Sequence, residues 1–190
     1  MLADNFECER NRTVCFSGHR PEKLPDRGDE RSQTVRMLKS MLYKEISDSV
    51  NEGFNCFVTG LARGVDLWAG EIVLELKAKN SGIRLVAAAP YRGHGSSFKG
   101  ADKFILGNIL RKADEVVYVS ESYSKECMRL RNEYMVNCSG KLIAVVSDYR
   151  SGTGQTIRYA KQQGLATKII DAEALAAYAN SAEKYDKLAF

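Results

Sequence analysis

Three short segments join glycine to hydroxyl-bearing or arginine residues: Ser17-Gly18-His19-Arg20-Pro21, Thr59-Gly60-Leu61-Ala62-Arg63-Gly64-Val65-Asp66 and Ser151-Gly152-Thr153-Gly154-Gln155-Thr156. Their chemistry suits phosphate. Glycine lets the backbone approach an anion, the first amides of a following helix have no intrahelical acceptor, and arginine adds a two-pronged positive charge. Any one segment reads equally well as a plain turn, because glycine after a strand is common. Three at one edge, with Arg20, Arg63, Arg92, Arg150 and Arg158 falling near it, favour a phosphate-bearing ligand. None is a P-loop, since GxxxxGK[ST] is absent, and Gly93-His94-Gly95-Ser96-Ser97-Phe98 lacks the third glycine of a dinucleotide fingerprint.

The chain has two histidines, His19 and His94. Neither sits in a GxSxG elbow or a zinc-ligand spacing, so neither a hydrolytic triad nor a metal is expected. Two roles stand open for His19: contact with a phosphate or base edge, or holding its own loop by hydrogen bonds. Asp66 opens a helix, where a cap is the ordinary role and a ribose hydroxyl the alternative partner. The five cysteines (Cys8, Cys15, Cys56, Cys127, Cys138) are odd in number and show no CxxC pair. They read as reduced thiols, with Cys15 and Cys56 serving as small buried hydrophobes.

For the three segments to meet, each must follow a strand of one sheet. Apolar runs at Thr13–Ser17, Phe54–Thr59, Ile83–Ala89, Glu115–Val119, Leu142–Val146 and Thr167–Ile170 read as strands. Between them, helical spacing marks Gln33–Asn51, Val65–Lys79, Phe98–Lys112, Glu126–Cys138 and Gln155–Gln163, with an alanine-rich terminal helix after the last strand. This alternation predicts an α/β three-layer sandwich with a mainly parallel sheet of about six strands, whose ligands lie beyond the strands' carboxyl ends. At 190 residues one domain is expected over 13–190, after an N-terminal tail of 1–12. The tail has no apolar block, and no run approaches the roughly 20 apolar residues of a membrane span, so a cytoplasmic protein without a span is expected. A net charge of +4 does not by itself suggest nucleic acid.

Cys15 to Leu24, Thr59 to Ala69, Arg131 to Met135 and Ser151 to Ala160 together resemble the YpsA-like proteins of the SLOG superfamily. That superfamily also holds the DNA-processing protein DprA and the LOG cytokinin-activating phosphoribohydrolases. The resemblance spans roughly Thr13 to Ile170. It implies a Rossmann-like fold and a nucleotide-derived small molecule, of ADP-ribose or NAD type, as partner. With the loops above, the expected ligand-binding set is Ser17, Gly18, His19, Arg20, Thr59, Gly60, Arg63, Gly64, Asp66, Arg131, Gly152, Thr153, Gly154, Gln155, Thr156 and Arg158.

LOG enzymes carry a PGGxGTxxE motif with a catalytic glutamate, and Arg158 stands at that position here. Cleaving an N-glycosidic bond needs a carboxylate. The resemblance therefore implies a non-catalytic sensor or regulatory module with no catalytic residue, and a LOG-like nucleotide hydrolase is the alternative. Glu133 is a carboxylate from another helix, although surface ion pairing is its ordinary role. DprA-like binding of single-stranded DNA ranks below both, because no aromatic series interleaves with the basic residues, and nucleic acid is not the expected partner. Homo-oligomerisation stays open.

Overall fold

The computed structural model describes residues 9–186, and side chains through residue 181. Six strands alternate with six helices: β1 (Thr13–Gly18), α1 (Gln33–Asn51), β2 (Cys56–Thr59), α2 (Val65–Lys79), β3 (Arg84–Ala89), α3 (Gly100–Lys112), β4 (Glu115–Tyr118), α4 (Cys127–Asn137), β5 (Lys141–Val146), α5 (Gly152–Gln162), β6 (Ala166–Asp171) and α6 (Ala172–Asp186). Every strand pairing is parallel, in the order β4-β3-β2-β1-β5-β6. The chain runs outward from β1 to β4, and α4 then carries it back to lay β5 against the other side of β1. That reversal opens a crevice between the carboxyl ends of β1 and β5, the place where sheets of this kind receive ligands.

The inner strands β1, β2, β3 and β5 are buried on both sides because both faces are covered. Val14 and Phe16 of β1, Phe57 of β2 and Ile143 and Val145 of β5 join the core on the α1–α2–α3 face. Their neighbours Cys15, Val58, Leu142 and Ala144 join the core under α4 and α5. The period of two thus feeds two hydrophobic layers. Phe16 and Phe57 lie near-parallel in the first, with ring centroids 6.2 Å apart. Helix α1 starts where Ser32 Oγ accepts the Val35 amide at 3.1 Å, and it buries Val35, Leu38, Leu42 and Ile46 along one face. Helix α2 packs between α1 and α3, so it buries residues on several sides, Leu67, Trp68, Ala69 and Val73 among them.

Helix α4 starts one residue later than the sequence expectation, and two other helix starts differ by more. Helix α3 begins at Gly100 rather than Phe98, because Gly93, Gly95 and Gly100 take positive φ (85°, 81° and 55°) and keep the preceding segment in a loop. Helix α5 begins at Gly152, three residues before Gln155, because Ser151 caps it. Arg10–Arg12, assigned to the tail by sequence, form a 3-10 turn in which Arg10 donates to the carbonyls of Ser139 (3.1 Å) and Gln163 (2.8 Å).

Cys15, Cys127 and Cys138 are free thiols, as expected, and burial pushes the Cys15 thiol up to about 12. Among the described residues, no helix is long and apolar enough to cross a membrane, and no group of three His, Cys, Asp or Glu side chains is placed to hold a metal.

Candidate functional site

Ser17 and Gly18 end β1 at the crevice, and His19 and Arg20 continue from it. Gly18 lacks a side chain because Val65 stands over it: a Cβ there would lie 2.3 Å from Val65 Cβ. His19 is buried, and its Nε2 accepts the Asp148 amide at 3.3 Å, tying the loop after β1 to the loop after β5. Of the two roles open to His19, loop-holding is the one the structure displays. A nitrogen that accepts is unprotonated, and burial lowers the His19 pKa in keeping with that. Arg20 is exposed, and among the described residues its guanidinium makes no hydrogen bond or ion pair.

The second segment is built around a buried ion pair. Asp66 Oδ2 accepts from Arg131 Nη1 at 3.0 Å and from the Ala62 amide at 3.3 Å. The side chains of Arg131 and Asp66 are only 5% and 4% exposed. Burial pushes the Asp66 carboxyl above its ordinary range and the Arg131 guanidinium below its own, while their mutual attraction opposes both shifts. Asp66 does not cap α2, a correction to the sequence expectation, because its carboxylate faces Arg131 and the loop amide instead. Thr59 Oγ1 donates to the Asp66 carbonyl at 2.6 Å, fixing the start of α2. Leu61, almost fully buried, takes φ 62°, a conformation that L residues rarely adopt. Gly60 leaves the space that Arg131 fills, since a Cβ there would stand 1.5 Å from Nη1, and Gly64 (φ 82°) leaves room for the His19 carbonyl.

Arg131 has a further property. Among the described residues its buried Nε has no hydrogen-bond partner, so a donor goes unused at the wall of the crevice.

The third segment opens α5. Ser151 Oγ takes the Gly154 amide at 3.3 Å, and the Ser151 carbonyl takes the Gln155 amide at 3.0 Å. Among the described residues the Gly152 and Thr153 amides have no acceptor, and both residues line the crevice. Gly154 has a different reason to be glycine: a Cβ there would meet the Tyr149 carbonyl oxygen at 1.9 Å, whereas Gly152 faces open space. Thr156 Oγ1 donates to the Gly152 carbonyl and accepts from Asn132 Nδ2 at 2.9 Å, joining α5 to α4.

Three clefts run together along this edge. The central one, about 230 Å³, holds Ser17, Gly18, His19, Arg20, Asp66, Arg131, Gly152 and Thr153. A second, about 420 Å³, holds Arg63 and shares Arg20, Ala62 and Met128 with the first. A third, about 290 Å³, holds Gln155 and Thr156 and shares Met128, Asn132 and Gly152. Thr59, Gly60, Gly64 and Gly154 stand behind the walls as packing residues. Arg158 lines none of the three clefts: it is exposed and donates to the Tyr149 carbonyl at 2.8 Å. Arg63 lies at the edge but is engaged, pairing with Glu22 (2.5 Å) and Asp102 (2.6 Å).

Sequence reasoning missed Met128, which sits on α4 outside any motif, and did not single out Asn132 within the Arg131 to Met135 segment. It also passed over Tyr91, His94 and Phe98, whose loop carried only the glycine signal Gly93-His94-Gly95.

A six-stranded parallel sheet with helices on both faces, reversing beside β1, is a Rossmann-like three-layer fold. The chain belongs to the YspA SLOG family, whose sequence model matches residues 14–175. It is similar to the SPbeta prophage-derived protein YoqJ of Bacillus subtilis (strain 168), with 30% identity over 145 residues, 70% of this chain and 85% of that protein. It is also similar to a UPF0398 protein of Bacillus thuringiensis (strain Al Hakam), with 24% identity over 156 residues, 80% of this chain and 84% of that one. Among solved structures, DNA processing protein A (DprA) from Streptococcus pneumoniae superposes with a TM-score of 0.55 and 17% identity, covering 84% of this chain. This chain spans half the length of DprA, and at that identity the likeness shows the fold alone.

Proposed function

We propose that this chain binds a nucleotide or nucleotide-derived ligand of ADP-ribose or NAD type in the β1/β5 crevice, as a sensor or regulatory module. One observation carries the proposal: the unpaired Gly152 and Thr153 amides, the buried Arg131 with its unused donor and the unengaged Arg20 all line one crevice. Helix amides and guanidinium groups around one space suit a phosphate.

Turnover is not part of this proposal. Each carboxylate lining the three clefts is held by an arginine: Asp66 by Arg131, Asp102 by Arg63 and Glu133 by Arg129. A carboxylate so engaged is poorly placed to activate water or to stabilise a sugar cation. Calorimetric titration with AMP, ADP-ribose and NAD, followed by chromatography of the incubated mixtures, tests both parts. Saturable binding without release of free base is expected. Absence of binding by all three, and by inorganic phosphate, overturns the ligand assignment; steady release of base overturns the sensor role.

A second role, binding of single-stranded DNA, has one observation in its favour. Aromatic and basic side chains that are scattered in sequence gather at this edge: Tyr123, 67% exposed, stands edge-on to Tyr91 at 5.5 Å, and the Arg92 guanidinium lies 4.5 Å from the Tyr118 ring. Such a mixture can stack bases and track a backbone. Anisotropy of a fluorescent oligothymidylate over a salt series distinguishes this role, since affinity for DNA falls steeply with salt.

A further inference from the structure

We infer that the second cleft, between the loop after β3 and the Ala62–Arg63 segment, is a subsite for a neutral planar ring, the base of the nucleotide whose phosphate occupies the adjoining crevice. This inference rests on the nucleotide binding proposed above and assigns the orientation of the ligand along the edge.

Fixed donors separate the two clefts, since the helix amides of Gly152 and Thr153 and the buried Arg131 Nε belong to the central one. Arg63 borders the second cleft with its guanidinium spent on Glu22 and Asp102, which leaves the exposed Lys99 as that wall's own unpaired cation among the described residues. Arg20, unengaged, stands where the two clefts meet, and the free helix amides lie on the far side in the central one. An anionic group is therefore drawn to the crevice, and a neutral group attached to it is left to fill the second cleft. A cavity of about 420 Å³ is ample for a base and part of its sugar.

One wall there is aromatic. His94 stands between Tyr91 and Phe98, with centroids at 5.6 and 5.5 Å and interplanar angles of 80° and 76°. Edge-to-face clusters of this kind offer both ring faces and ring edges to a further ring. Backbone and side chain hold the cluster in place. His94 Nε2 lies 3.0 Å from the Leu61 carbonyl, to which it donates, and a Cβ on Gly95 would meet Leu106 Cδ2 at 2.2 Å, so the loop is seated closely on α3. With Nε2 carrying the proton, Nδ1 of the neutral imidazole is an acceptor, and burial favours that neutral form. A base presents the complementary donors in its ring N–H and amino groups.

Calorimetric titration of the whole chain with AMP, GMP, CMP, UMP and ribose 5-phosphate tests the assignment. The best of the four nucleotides should bind about tenfold more tightly than ribose 5-phosphate, the size expected when one base stacks on aromatic side chains. Tyr91→Leu and Phe98→Leu should each shrink that difference severalfold while ribose 5-phosphate affinity stays unchanged. Tyr91 lies outside the hydrophobic core clusters, so its variant keeps the test valid should Phe98→Leu unfold. Equal affinities for all five compounds, or a difference that survives in folded Tyr91→Leu, overturn the ring subsite. If ribose 5-phosphate and the nucleotides fail to bind but the matching nucleosides bind in a Tyr91-dependent way, the phosphate site falls and the ring subsite stands. If no compound binds, both fall.

Discussion

Arg131, on α4, donates to the carboxylate of Asp66, on α2, directly above Gly60, so one buried ion pair bridges the two helical layers around the carboxyl edge of the sheet. Removing one partner strands a charge in a low-dielectric setting. Asp66→Ala should therefore lose on the order of 3–5 kcal/mol of stability. Asp66→Ala combined with Arg131→Met should recover most of that loss, since no unpaired charge remains. Urea unfolding of the single and double variants measures the coupling directly, and equal stability of the two would show that Arg131 finds water or another partner.

Gly152 and Gly154 should separate on substitution although they share one motif. Gly154→Ala drives a methyl into the Tyr149 carbonyl and should cost roughly 1–3 kcal/mol, as overpacking does. Gly152→Ala points its methyl into open space, so thermal stability should hold while nucleotide affinity falls as the methyl crowds the crevice. Paired melting curves and titrations check both outcomes.

Arg20 and Arg63 should also part company. Arg20→Ala should lower nucleotide affinity by about 1–3 kcal/mol, the range of a hydrogen bond to a charged group, with no change in unfolding midpoint. Arg63→Ala removes two partly exposed ion pairs and should cost at most about 1 kcal/mol of stability, with a smaller effect on phosphate binding. Equal losses of affinity in the two variants would place the phosphate nearer Arg63 than the geometry suggests.

Both histidines have pKa values lowered chiefly by burial, from an ordinary 6.5. A lowered folded-state pKa means that the unfolded chain takes up protons first as pH falls. The stability contributed by the neutral rings is thus complete above about pH 6.5 and declines below it, until the folded-state values are reached. Protonation at His19 Nε2 also breaks its bond from the Asp148 amide. Denaturation midpoints should fall between pH 7.5 and 5.5, and the decline should be shallower in His19→Asn and His94→Asn. A pH response identical in all three proteins would assign it to carboxylates instead.

The sequence by itself determined the alternation of six strands with six helices, and α1 and α2 run over the residues their apolar spacing marks. Local patterns suffice there, because a strand buried on both faces is apolar throughout and a helix packed on a sheet repeats every three to four residues. The three glycine-bearing segments were legible as strand-end loops for the same reason. What each glycine does was not. Gly60 makes room for Arg131, Gly64 for the His19 carbonyl and Gly154 for Tyr149, all contacts between segments remote in sequence or folded back by a turn. The tertiary structure likewise decided that Arg63 and Arg158 are engaged, that Arg20 is not, and that Tyr91, His94 and Phe98 form one wall. A side chain's charge and size are written in the sequence, but whether its charge is already neutralised depends on partners dozens of positions away, which the packing of the sheet alone brings together.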